Sequence, residues 1–143
     1  MLTLTPDNLD ALGKRLLGTT DQAEQALAET AQEVFEMIES RVADHSKTGD
    51  LERSLELNRD GPGDYRIGHN ESMAPHAVFV HWGTRPHEIR PSKKKALRWP
   101  SGGAFQFAKV VQHPGYEGDP YLVDAADAAP RIFQRRLAAI LEE

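Results

Sequence analysis

The chain has 143 residues, 39% of them hydrophobic and 27% charged, with a net charge of −5 and no cysteine. That length fits one domain around one core, that balance excludes a disordered chain, and the missing cysteines exclude disulfide frameworks, thiolate metal sites and cysteine nucleophiles. No apolar run approaches the roughly 20 residues of a membrane helix, and Met1 to Leu12 lacks the basic start and apolar stretch of a signal peptide. A soluble protein made inside a cell, with no membrane partner, is expected.

From the N-terminus, a short helix over Pro6 to Leu17 is expected, started with help from Asp7 and Asn8 and ended by Gly18. Thr19-Thr20-Asp21 can cap a second, longer helix to about Asp44. In it Ala23, Leu27, Ala31, Val34, Ile38 and Val42 recur at spacings of three and four, with Glu24, Glu29, Glu33, Glu36 and Arg41 largely off that stripe. Ser46 to Asp50 breaks the pattern. Leu51, Leu55 and Leu57 then pass through a turn of helix into an extended stretch, and Asp60-Gly61-Pro62-Gly63-Asp64 turns it back into Tyr65 to Gly68 as a hairpin.

Ala74 to Trp82 is apolar enough to be buried and too short to assign by period. Three further strands are expected at His87 to Arg90, Ala96 to Trp99 and Phe105 to Val111, separated by loops at Pro91 to Lys95 and Pro100 to Gly103. Asp119-Pro120 starts a closing helix to Leu141, which Pro130 should interrupt or kink. The fold class is therefore α+β: a small antiparallel sheet packed against a long N-terminal helix, with a closing C-terminal helix. As one domain over 1–143, it divides into a helical region 1–45, sheet and loops 46–118 with a basic arm at 85–98, and the helix 119–143.

Charge is unevenly spread. Residues 84–110 hold seven cations (Arg85, Arg90, Lys93, Lys94, Lys95, Arg98, Lys109) against Glu88, a net +6, leaving −11 for the rest. Such an arm can bind nucleic acid, with Trp99 as the stacking candidate of its loop, or pair with the acidic body of another copy. The body supplies a counter-charge of its own, which favours pairing between copies and makes Arg85, Arg90, Lys93, Lys94, Lys95, Arg98 and Trp99 the candidate interface.

Catalytic patterns are weak by comparison. His76, His81, His87 and His113 cluster in the middle of the chain without metal-ligand spacing and read as turn or interface residues. Ser40, Ser46, Ser54, Ser72, Ser92 and Ser101 have no G-x-S-x-G context and sit in helix or loop contexts with no matching base nearby. Ser101-Gly102-Gly103 lacks the lysine of a phosphate loop, and Asp124 with Asp127 reads as a solvated helix face. No catalytic, metal or cofactor residue is assigned, and no cofactor is expected.

The order of the short motifs is more telling. Thr48-Gly49-x-Leu51-x-x-Ser54 is followed by Ala74-Pro75-His76-Ala77-x-x-Val80-His81-Trp82-Gly83-Thr84-Arg85-Pro86-His87-x-Ile89-x-Pro91. Lys95-Ala96-Leu97, Val111-x-His113-Pro114-Gly115 and Pro120-Tyr121-Leu122 complete the series. It resembles the tail-completion (tail-component) family of long-tailed bacteriophages over roughly residues 20 to 142. Where that family often carries an acidic residue before the aromatic-Gly-Thr, this chain has His81.

The resemblance implies a non-enzymatic virion protein of the neck, made in the host cytoplasm. It would form a homo-oligomeric ring, usually hexameric, that ends the tail tube, meets head-side connector proteins and surrounds a lumen through which DNA passes. It also gives the turn formers roles: Gly49 between long helix and sheet, Gly83, Thr84 and Pro86 on the path into the basic arm, and His113-Pro114-Gly115 as a second rigid turn. A head-side stopper or adaptor ring is the nearest alternative; a small nucleic-acid-binding protein or nuclease using the arm and histidines is a more distant one.

Overall fold

In a computed structural model, helix α1 (Pro6–His45) runs unbroken through Gly18, so the two helices expected here are one. A single glycine costs about 1 kcal/mol relative to alanine in a helix. No proline or second breaker accompanies it, so each residue beyond Gly18 adds a hydrogen bond to a helix already nucleated. The structure describes residues 6–142; nothing of the side chains of residues 6–17 and Thr19 is described, so the starting role expected of Asp7 and Asn8 lies outside the described residues.

Then follow α2 (Asp50–Arg53), β1 (Leu55–Gly61), β2 (Asp64–His69), α3 (Ala77–Trp82), β3 (Gly83–Thr84) and β4 (His87–Ile89). The remainder is β5 (Leu97–Ser101), β6 (Ala104–Ala108), β7 (Val111–His113), β8 (Tyr116–Glu117) and α4 (Tyr121–Glu142). The protein is α+β, as expected, and its strands pair in four separate two-stranded antiparallel ladders: β1 with β2, β3 with β8, β4 with β7 and β5 with β6. The single strand expected over Phe105 to Val111 is divided at Lys109 and Val110, because β6 turns back on β5 whereas β7 pairs with β4.

The chain forms two compact units. Unit 1 comprises residues 1–75 and 121–143; unit 2 is the stretch between, 76–120. In unit 1 the stripe of α1 closes on α4: Ala26, Ala31, Val34, Ile38 and Val42 are buried, joined by Leu51, Leu55, Tyr121, Ala125 and Ile132. Thr30 is buried among them and settles its hydroxyl by donating to the Ala26 carbonyl one turn back, at 2.7 Å.

Ion pairs border this contact. Arg136 donates to Glu33 Oε2 through Nη2 at 2.6 Å and to Glu29 through Nη1 at 3.0 Å, while Arg135 reaches Glu33 Oε1 at 2.7 Å. Hydrogen bonds from Arg135 and then Arg136 hold the Glu33 carboxyl below its ordinary pKa. Arg41 donates to Asp124 at 2.8 Å near the start of α4. The β1–β2 hairpin is tied to α1 by Glu24, which accepts from Arg59 at 3.0 Å and Tyr65 at 3.1 Å and whose pKa is lowered chiefly by the Arg59 bond.

Helix α4 does not stop at Pro130. Proline lacks the N–H that would reach the carbonyl four residues back, but Ala125 and Ile132 are buried on either side and Arg135 and Arg136 are anchored beyond it. Tertiary packing keeps the helix continuous where local propensity alone predicts a break.

Candidate functional site

Unit 2 is organised by backbone pairing between two stretches that sequence reading treats as separate turns. Gly83 pairs with Glu117 and Thr84 with Tyr116; His87, Glu88 and Ile89 then pair with His113, Gln112 and Val111. The amide of Asp119 closes the base by donating to the Val80 carbonyl at 3.0 Å. The stretch after Trp82 is thereby zipped onto the stretch around Pro114-Gly115.

Two glycines make this possible. Gly83 has φ 79° and ψ −177°, a region closed to residues with a Cβ, and a Cβ there would lie 2.4 Å from the Tyr116 carbonyl oxygen. Gly115 has φ 87°, and its Cβ would lie 2.5 Å from the Thr84 carbonyl oxygen. Each glycine therefore faces the backbone of the opposite stretch.

Between them His87 and His113 stack with ring centroids 4.9 Å apart. His87 Nδ1 donates to the Arg85 carbonyl at 2.8 Å, and His113 Nδ1 accepts from the Gly115 amide at 3.0 Å. Both rings are thus oriented by the turns beside them. His81, on α3, is buried, and its ring lies edge-on to Trp82. Among the described residues no group of three or more His, Asp or Glu side chains is placed to hold a metal ion.

The basic arm leaves this sheet as an exposed loop, Ser92 to Lys95, and continues into the β5–β6 hairpin closed by Gly102 and Gly103. Arg85, Arg90, Lys93, Lys94, Lys95 and Arg98 are all exposed; Pro86 and Pro114 are exposed at the turns, and Thr84 is half-buried. The pairing of Arg98 with Phe107 and of Pro100 with Phe105 puts these four side chains on one face, while Trp99 points to the other and is half-buried. Phe105 is 55% and Phe107 66% exposed, and the Arg98 guanidinium sits 4.3 Å from the centre of the Phe105 ring. The aromatic residues presented with the cations are these phenylalanines, rather than the expected Trp99. The alternation from Phe105 to Phe107 already places them on one strand face; it does not say that this face is the exposed one. In α3, Val78, Phe79 and Trp82 are also exposed.

One serine does meet a base. Ser54 Oγ lies 2.7 Å from His69 Nδ1 and 2.7 Å from the Leu51 carbonyl, and His69 Nε2 lies 2.7 Å from the Tyr121 hydroxyl. The expectation that no base stands near Ser54 is corrected: residue 69 is fifteen positions away, and the β1–β2 register, which opposes Leu55 to His69, brings it alongside. Ser54 and Tyr121 are both fully buried, so the hydroxyl is sealed from any substrate in solution and ties β2 to α2 and α4. Gly49, the expected turn after the long helix, stands at the N-terminus of α2, where Thr48 Oγ1 accepts from the Asp50 amide at 3.4 Å. No helix among the described residues is long and apolar enough to cross a membrane.

A family model described as bacteriophage HK97-gp10, putative tail-component, matches residues 5–83, more than half of the chain, and the chain belongs to that family. The match takes in α1, α2, the β1–β2 hairpin and α3 and stops at Gly83, so the basic arm and α4 lie beyond it. No curated protein and no solved structure matches the chain.

Proposed function

We propose that this member of the phage tail-component family is a structural protein of the virion neck, which assembles with its own copies into a ring that completes the tail and joins it to the head. Family membership carries the reading. The charge distribution supports assembly as its mechanism: unit 2 has seven cationic and three acidic side chains, net +4, and unit 1 has ten and nineteen, net −9. Opposite charges on different units of one chain suit a head-to-tail contact, the kind that closes into a ring or runs on as a filament.

A hexameric ring would set one face on the tail tube protein and the other on head-side connector proteins, with DNA passing through the lumen. Its role is assembly rather than catalysis, in keeping with a serine-histidine pair sealed inside unit 1. Phage lacking the gene should accumulate DNA-filled heads and separate tails by electron microscopy, and antibody to the protein should mark the head-tail junction of normal virions. Normal virions from the deletion would refute the reading. Capture of tail tubes rather than of filled heads by the purified protein separates a tail-completing ring from a head-side stopper or adaptor.

A further inference from the structure

The β5–β6 hairpin holds two large aromatic side chains in water on a face that also carries Arg98, directly after three exposed lysines. Exposed apolar area of this kind, rimmed by charge of one sign, is characteristic of a surface that meets a partner. Its complement occurs on unit 1. In the last three turns of α1, Glu36, Met37, Glu39, Ser40, Ala43 and Asp44 are all exposed, and at 100° per residue they fall on one side, opposite the buried Val34, Ile38 and Val42. That side is acidic: it carries Glu36, Glu39 and Asp44, with Met37, 41% exposed, at its edge.

We propose that the hairpin face of one copy, Phe105, Phe107 and Arg98, docks on the Glu36-Met37-Glu39-Asp44 face of α1 in a second copy, with Lys93 to Lys95 reaching the same carboxylates. The inference rests on the homo-oligomeric reading above and supplies its contact. A second copy is favoured over a nucleic acid because Arg98 already covers one face of Phe105, leaving less of a stacking platform for bases, and because unit 1 would repel phosphates. The contact is heterologous: each copy gives one surface and accepts on another, so subunits add in one direction.

The test uses two full-length variants, Phe105→Ser/Phe107→Ser and Glu36→Lys/Glu39→Lys/Asp44→Lys, each with changes at exposed positions only. Sedimentation of the wild-type chain at low salt should show oligomers that weaken as salt is raised. Each variant alone should be monomeric, its self-association weakened about tenfold or more. Mixed in equal amounts, the two should form a one-to-one heterodimer and nothing larger, because only one competent pair of surfaces remains. Arg98→Glu, read beside the hairpin variant, guards against loss of folding, and circular dichroism melts should match wild type in all three.

A wild-type chain that stays monomeric at every concentration and salt would refute the homo-oligomeric reading and this contact together. Oligomers that form equally well in both variants would refute the contact and leave the ring. Binding of a single-stranded oligonucleotide that the hairpin variant loses, with self-association unchanged, would assign the hairpin to nucleic acid and overturn the proposal.

Discussion

The hydroxyl of Tyr121, the first residue of α4, lies 2.7 Å from Nε2 of His69, the last residue of β2. The direction of the chain of bonds follows from its far end. Ser54 donates to the Leu51 carbonyl and so accepts from His69 Nδ1–H, which leaves Nε2 to accept the tyrosine proton. Three elements distant in sequence are thereby held by donors that all point one way, an arrangement in which each bond polarises the next.

Tyr121→Phe removes the donor and leaves a ring nitrogen facing the phenyl edge. A loss of roughly 1–3 kcal/mol in urea unfolding is expected. Ser54→Ala should cost a similar amount, and the double variant should lose less than the two single losses added together, because both break the same chain of bonds. Full additivity would show that the two bonds act independently.

Gly83→Ala places a methyl group against the Tyr116 carbonyl and forces a backbone region that only glycine enters readily. It should destabilise unit 2 by at least about 1–3 kcal/mol, with amide exchange rising in β3 and β8 before it rises in α1. Gly68→Ala is the control, since a Cβ there meets nothing within 4 Å. Equal effects from the two substitutions would remove Gly83 from the account of the sheet.

Glu33 gives a pH dependence whose sign is fixed. Its folded pKa is below the ordinary 4.5, so its ionised form is the one that the fold stabilises. The contribution is present above that ordinary value and is lost as pH falls through the depressed folded one. Wild type should therefore be more stable than Glu33→Gln at neutral pH, and the gap between their melting temperatures should close only on acidification below about 4.5. A gap unchanged by acid would mean that the variant acts through packing.

Pro130→Ala restores a backbone donor in the middle of α4, where proline stands about 3 kcal/mol below alanine in helix propensity. Stability should rise, by at most that amount, without change in helix content by circular dichroism. A loss of stability would show that α4 depends on the geometry that the proline imposes.

Local chemistry made much of this fold legible in advance. The Gly61-Pro62-Gly63 turn marks the β1–β2 hairpin, Leu51 lies in the expected turn of helix, and the apolar spacing of Val34, Ile38 and Val42 identifies the buried side of α1. Relationships set by distant pairing were not legible. Nothing near Gly83 announces Tyr116, and nothing near Ser54 announces His69; each depends on a register fixed by residues between. Gly18 and Pro130 mislead for the converse reason, since a helix packed along its length tolerates a residue that would end it alone. In the basic arm the cations could be read directly, but which aromatic side chains accompany them depends on the β5–β6 register, which turns Trp99 away and brings out Phe105 and Phe107.

The discontinuity of unit 1 also sets a schedule for its folding. Helix α1 is complete at His45, yet α4, which covers its stripe, is made only after the whole of unit 2. At synthesis rates of about 5–20 residues per second, roughly 5–20 s separate the emergence of the two helices. Through that interval Val34, Ile38 and Val42 lack the cover that α4 supplies, and β3 waits almost as long for its partner β8. The nascent chain thus offers α1 to chaperones or to neighbouring chains on a polysome, and closing unit 1 is the step at which crowding would do the most harm.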